Sequence, residues 1–216
     1  MAKIIALGAF RARLRSRQVP VFSLESYRRF WGQSLDRLTD YINDLVTKER
    51  KMSDKKDLKI EAPAGESHMV LTRTFNAPRS LVWKALSQPE HIIRWWGPHS
   101  HANKVLHFDW RVGGGWRIQS SMADGMIIIF HGEYREIEPE WKTVQTFAVE
   151  GMYDGAYSVD TLTLEEKDGK TIYKVHSVLP DVAARDGMLQ SGMEVGVVEG
   201  FERLDSILEE LKAEQK

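Results

Sequence analysis

The amino-acid sequence predicts an α+β domain over residues 66–213, in which a curved antiparallel sheet grips a long C-terminal helix and encloses an apolar cavity. Three observations carry that prediction. Seven short runs of strand character lie between His68 and Leu179, separated by turn signals such as Gly113-Gly114-Gly115, Asp124-Gly125 and Asp168-Gly169. Sequential strands with short loops pair as an antiparallel meander. Two short helices follow the first strand, and the end of the chain, from about Asp186 to Ala213, reads as one long helix with an apolar stripe. Such a stripe needs a concave, half-open sheet to receive it rather than a closed barrel.

Residues 1–47 begin with an extended piece, Phe10–Leu14, and continue as a helix with Ser23 as N-cap and Ser26 as the alternative. From Tyr27, the positions Phe30, Trp31, Leu35, Leu38, Tyr41, Ile42 and Leu45 recur every three or four residues and give a broad apolar face. Residues 48–65 read as a charged linker ending in Pro63 and Gly65, with Met52 as a second candidate start. The main domain opens with a strand at His68–Phe75. Pro78 stands where a first helical turn begins and Ser80–Leu86 continues it. A second short helix starts at Gln88-Pro89 and stops at Gly97-Pro98. Strands are expected at Lys104–Trp110, Trp116–Ser120, Met126–Glu136, Thr143–Glu150, Tyr157–Glu166 and Thr171–Leu179.

Composition narrows the chemistry. The 216 residues are 42% hydrophobic and 28% charged, ordinary for a globular protein. The absence of cysteine excludes a disulfide scaffold, a thiolate nucleophile and Cys-ligated zinc or iron–sulfur centres. No run approaches eighteen apolar residues, so no membrane association is expected. The start, a short apolar stretch followed by arginines, lacks the layout of a secretory signal, and a cytoplasmic location is the expectation. The net charge of −1 divides into +6 over residues 1–51 and −7 over the rest. An acidic main domain argues against nucleic-acid binding.

Four stretches together resemble a known family: APRSLVWKALSQPEHIIRWWGP (77–98), RVGGGWR (111–117), FHGEYREIEP (130–139) and GMEVGVVEGFERLDSILEEL (192–211). They resemble the START-like, or SRPBCC, superfamily, and within it the bacterial homologues of the C-terminal domain of heat-shock-protein-90 ATPase activators. The resemblance spans about Ser67 to Leu211. It implies a helix-grip (START-like, Bet v 1-like) fold, with activity set by what lines the cavity. Residues 10–47 resemble instead the C-terminal part of ArsR-type winged-helix repressors, through SLESYRRFWGQSLDRLTDYINDL (23–45), without that family's recognition helix. The resemblance implies pairing rather than DNA reading.

Candidate sites are few. His99 and His101 form an H-x-H pair beside Pro98 with no acidic ligand at a supporting spacing, so no metal is expected. His131 and Glu133 share a strand face with Arg135, which reads as a solvated side, and no catalytic residue is assigned. The glycine run at Gly113 lacks the Lys-Ser/Thr of a phosphate loop, and no cofactor is expected. The cavity wall is expected to include Trp83, Trp95 and Trp116, then Met126, Ile128, Phe130 and Tyr134 from one strand face, and Tyr173 and Val175 from another. The strand Thr143–Glu150 offers Phe147 or Val144. Trp95 and Trp96, as adjacent helical positions, are not expected to point inward together. On the last helix Met193 and Val197 join Gly196 and Gly200; the four-residue spacing of Gly192, Gly196 and Gly200 stacks them on one face and suggests close approach of a ligand to the helix backbone.

The leading functional expectation is a module binding a small apolar or amphipathic molecule. The family resemblance adds two alternatives, a chaperone-contacting modulator of an ATPase and a cyclase- or hydrolase-like enzyme using the same cavity. A homodimer through residues 27–45 is expected separately, because leaving that stripe in water costs roughly 1.5–3 kcal/mol per large side chain. The full chain should sediment as a weak to moderate dimer, and a chain starting at Met52 as a monomer. Equal sedimentation of the two would refute the pairing.

Overall fold

The computed structural model describes residues 58–151 and 156–215. The extended piece and the amphipathic helix expected within residues 1–47 lie outside the described residues. Eight strands form one antiparallel sheet: β1 (Lys59–Glu61), β2 (His68–Phe75), β3 (Ala102–Phe108), β4 (Gly115–Ser121), β5 (Ile127–Glu138), β6 (Lys142–Val149), β7 (Ser158–Lys167) and β8 (Lys170–Val178). Their spatial order is β1-β2-β8-β7-β6-β5-β4-β3. From β3 to β8 the chain is a meander. The step from β2 to β3 runs through α1 (Arg79–Ser87) and α2 (Pro89–Trp95) and carries the chain to the far edge. Bulges between Val105 and His107 and between Tyr134 and Glu136 interrupt the ladder, and bulges of this kind sharpen local twist and bending.

The sequence prediction needs two corrections here. The charged stretch read as linker contributes β1, which pairs with Val70, Leu71 and Thr72 through backbone bonds. Lys59 and Glu61 remain exposed while Ile60 packs on the core; a short charged strand is how an edge avoids further pairing. The single closing helix is two helices, α3 (Val182–Gln190) and α4 (Met193–Glu214). Asp181 caps α3 by accepting from the Ala184 N–H at 2.7 Å. Gly192 then takes φ +83°, a left-handed conformation that glycine adopts without strain, and the chain turns there before α4 begins.

The stripe on α4 closes the main core. Phe201, Leu204, Ile207, Leu208 and Leu211 meet Phe75 and Leu164 of the sheet and Leu81 and Val82 of α1. Leu204 and Leu164 are completely buried, and burial of each such side chain contributes about 1.5–3 kcal/mol. Arg73, on the same face of β2 as Phe75, is buried in this interface. It pairs with Asp205 of α4, and its guanidinium lies 4.9 Å from the Phe75 ring centre and 5.2 Å from that of Phe201. That arrangement couples a charge-assisted bond to two cation–π contacts.

The second core gathers Ile92 of α2 with Trp116, Ile118, Ile128 and Phe130. Asn103 holds α2 against the sheet edge by donating to the Trp96 carbonyl at 2.6 Å while accepting from the Ser120 hydroxyl at 2.6 Å. Helix α4 reaches α2 at Gly200, where an added Cβ would stand 2.8 Å from the Trp95 carbonyl oxygen. The obstruction is backbone and cannot swing aside. Gly200→Ala should therefore destabilise the fold by about 1–3 kcal/mol, against the gain of about 1 kcal/mol that alanine gives an open helix position. A urea midpoint that rises in this variant would contradict the close contact.

Candidate functional site

The C-terminal half of α4 lies on the sheet, whereas its N-terminal half, from Met193 to Gly200, borders a cavity of about 250 Å³. Strand parity builds the wall opposite. Alternate residues face one side of a sheet, and the register aligns those of neighbouring strands into rows. Met69, Ser177, Asp160 and Gln145 form one row across β2, β8, β7 and β6. Leu71, Val175, Leu162 and Thr143 form the next. All eight line the cavity.

An aromatic group forms the other end. The Trp96 ring centre lies 5.7 Å from those of Trp116 and Phe130 and 6.4 Å from that of Phe147. Trp95 and Trp96 both reach the cavity, their rings 5.7 Å apart, which corrects the expectation that only one could. Trp96 has left the helix: as C-cap it has an extended backbone (ψ 120°), so the two side chains are not successive helical positions. The Trp95 indole N–H donates to the Ala85 carbonyl at 3.1 Å, fixing its ring.

Of the wall residues expected from sequence, Trp95, Trp116, Phe130, Tyr134, Tyr173, Val175, Met193, Gly196, Val197 and Gly200 line the cavity. Trp83, Met126 and Ile128 do not. Trp83 packs on Trp110 with ring centres 5.5 Å apart. Met126 and Ile128 belong to the core formed with Ile92 and Trp116. Ile128 shares β5's inward parity and Met126 precedes the strand, and both stand at the end that this core covers. Phe147 rather than Val144 faces inward. The glycine expectation also needs correction: Gly192 precedes α4, and Gly200 admits the backbone of Trp95.

The residue that sequence reasoning missed is Asp160. A signal was present, since Asp160 lies two residues before Leu162 and four before the fully buried Leu164, on the same strand face. Its carboxylate accepts from the Ser158 hydroxyl at 2.9 Å and also from Ser177. The ionisable groups lining the cavity are Asp160, Tyr134 and Tyr173; no Lys, Arg or His among the described residues does so. Burial raises both phenols well above their ordinary range, helped at Tyr173 by the Asp160 charge, so both stay neutral donors. His176 lies between Val175 and Ser177 on β8 and so faces the other way, its ring centre 5.1 Å from that of His68. His131 alternates with Phe130 in the same sense. His99 is exposed, 3.4 Å from Glu202, and His101 is buried.

Burial pushes the Asp160 carboxyl up to about 6 from an ordinary 3.8, against the lowering effect of its two serine bonds. Below about pH 4 it is protonated whether the chain is folded or not. Between there and about 6 the folded state keeps a proton that the unfolded chain has released, so stability falls as pH rises through this window. The loss, roughly 3 kcal/mol for a shift of about two units, is complete above it. Asp160→Asn should thus be more stable than the parent in urea at pH 8 and equal to it near pH 4. A difference that is the same at both pH values would show that the carboxyl does not sit in this desolvated position.

The family model described as "Activator of Hsp90 ATPase homolog 1-like protein" matches residues 76–209. No curated protein matches the chain. Among solved structures, a protein from Rhodobacter sphaeroides superposes with a TM-score of 0.64 at 22% identity, covering 70% of this chain and 97% of that one. One from Arthrobacter aurescens gives 0.63 at 22%, covering 70% and 91%. One from Staphylococcus epidermidis gives 0.61 at 24%, covering 70% and 94%. At such identities these likenesses speak for the fold, the curved sheet gripping a C-terminal helix, while the match over residues 76–209 speaks for descent: the chain belongs to the Activator of Hsp90 ATPase homolog 1-like family of the START-like superfamily.

Proposed function

We propose that this protein binds a small amphipathic molecule in the cavity between the sheet and the N-terminal half of α4. The observation that supports this reading is the division of the lining: an aromatic end around Trp96, Phe130 and Phe147, and a polar row of Gln145, Asp160 and Ser177 on the sheet. Binding sites for small molecules have this composition, mostly apolar with a few polar groups that fix orientation. Size sets the class. An apolar cavity of about 150 Å³ takes up benzene, so about 250 Å³ suits a molecule of on the order of ten to fifteen non-hydrogen atoms. Long acyl chains and sterols exceed that.

General acid–base chemistry in the cavity would need Asp160 paired with a second group that titrates near neutrality, which its serine and tyrosine neighbours do not. Among the described residues the cavity wall holds one carboxyl, and neither His131 nor His176 joins it. Binding without turnover is therefore the reading that these residues support best. Gly196 borders the cavity and is buried, so a larger side chain there would occupy ligand space. The parent should bind 2-naphthol with one site per chain in calorimetry, and Gly196→Leu should weaken that binding at least tenfold while keeping a cooperative thermal transition. Undiminished binding in the folded variant would place the probe elsewhere and refute the cavity as the site.

A further inference from the structure

No cation among the described residues stands opposite Asp160. Among the described residues it forms no ion pair, and the groups that bond it are the hydroxyls of Ser158 and Ser177, both uncharged. The buried arginines of the described residues are already matched, Arg73 of β2 by Asp205 and Arg185 of α3 by Asp186. A carboxylate in a low-dielectric space gains most from a charged donor. It repels an anion as strongly.

The geometry points to a ligand that carries a protonated amine on a short aromatic or aliphatic body, with the ammonium group held by Asp160 and the body packed among Trp96, Phe130 and Phe147. This rests on the cavity being a ligand site. The pieces fit on three grounds. The carboxyl lies within the wall rather than at a rim, in register with Gln145 on β6 and Ser177 on β8, so its two neighbours in the row are hydrogen-bonding groups rather than competing charges. Tyr173 also faces this space, and its aromatic ring and neutral hydroxyl suit an ammonium headgroup. A fatty acid or other carboxylate would find no Lys, Arg or His on the described wall and would meet Asp160 instead. At neutral pH the Asp160 carboxyl is mostly ionised even though burial raises it, while an alkylamine remains protonated. Binding would then convert an unmatched charge facing the cavity into a matched pair, and the energetic handicap that Asp160 imposes on the empty protein would be relieved by the ligand.

Three probes of nearly equal size separate the possibilities: 2-phenylethylamine, 2-phenylethanol and phenylacetate, titrated into the full chain at pH 7.5 by calorimetry. The amine should bind at least tenfold more tightly than the alcohol, and phenylacetate most weakly. In Asp160→Asn the advantage of the amine over the alcohol should vanish. If the alcohol binds as well as the amine in the parent, or if the preference survives Asp160→Asn, the amine assignment is wrong and the cavity reading stands. If none of the three binds the parent, the amine assignment fails, and the cavity reading stands or falls separately on 2-naphthol. The parent comparison decides the matter even if the variant does not fold.

Discussion

The interaction on which the rest of the structure depends is the seating of the C-terminal half of α4 on the sheet. Leu204, Ile207, Leu208 and Leu211 bury against Phe75 and Leu164, and Arg73 reaches up from β2 to Asp205. A helix fixed so firmly at one end behaves as a cantilever: its other end goes where the axis points rather than where packing would pull it. That end, Met193 to Gly200, is met by α2 at Gly200 instead of by the sheet. The space left beneath it is the cavity. A packed interior would ordinarily fill such a space, because voids forfeit dispersion contacts. Here the opposite wall presents Gln145, Asp160 and Ser177, side chains that cannot fill it with apolar volume.

The helices before β3 serve the same geometry. Residues 78–96 bring α2 and the Trp95–Trp96 pair to the cavity's aromatic end. Asn103 and Ser120 lock the exit of α2 to β3 and β4 through two short hydrogen bonds. Because Trp96 leaves the helix in an extended conformation, its ring joins Trp116, Phe130 and Phe147 instead of turning to solvent. One backbone change at a helix terminus thus supplies a large part of the apolar wall.

Much of this was legible in the sequence, and the exceptions have physical reasons. Strand parity marks Phe130, Tyr134, Tyr173 and Val175 as inward, because apolar and polar residues alternate cleanly there. The same parity over-reaches at Met126 and Ile128, since periodicity gives the face of a strand and not the position along it at which α2 covers that face. Strand β1 escaped notice because Lys59-Ile60-Glu61 pairs by backbone alone and its composition is that of a solvated loop. The break between α3 and α4 was hidden because Gly192 continues the four-residue spacing of Gly196 and Gly200; spacing alone cannot distinguish a helix-starting glycine from an interior one. Trp96 departs from the helical expectation because a C-cap residue with an extended backbone no longer follows the helix's side-chain spacing.

Asp160 is the instructive omission. An acidic residue between Val159 and Thr161 reads as a solvent-facing position, since buried carboxylates are rare. Its parity with Leu162 and Leu164 says otherwise, and composition and register disagree at this one residue of β7. Where a local preference and the fold conflict, stability alone would have removed the conflict with a leucine or a threonine. The carboxyl instead costs the empty fold stability above about pH 6, a cost that the two serine hydroxyls only partly offset. Family membership fixes the sheet and the gripped helix, and the same architecture can enclose quite different linings. The part that the architecture does not require is the Asp160 carboxyl, the one carboxyl among the described wall residues, placed where a bound molecule could neutralise it.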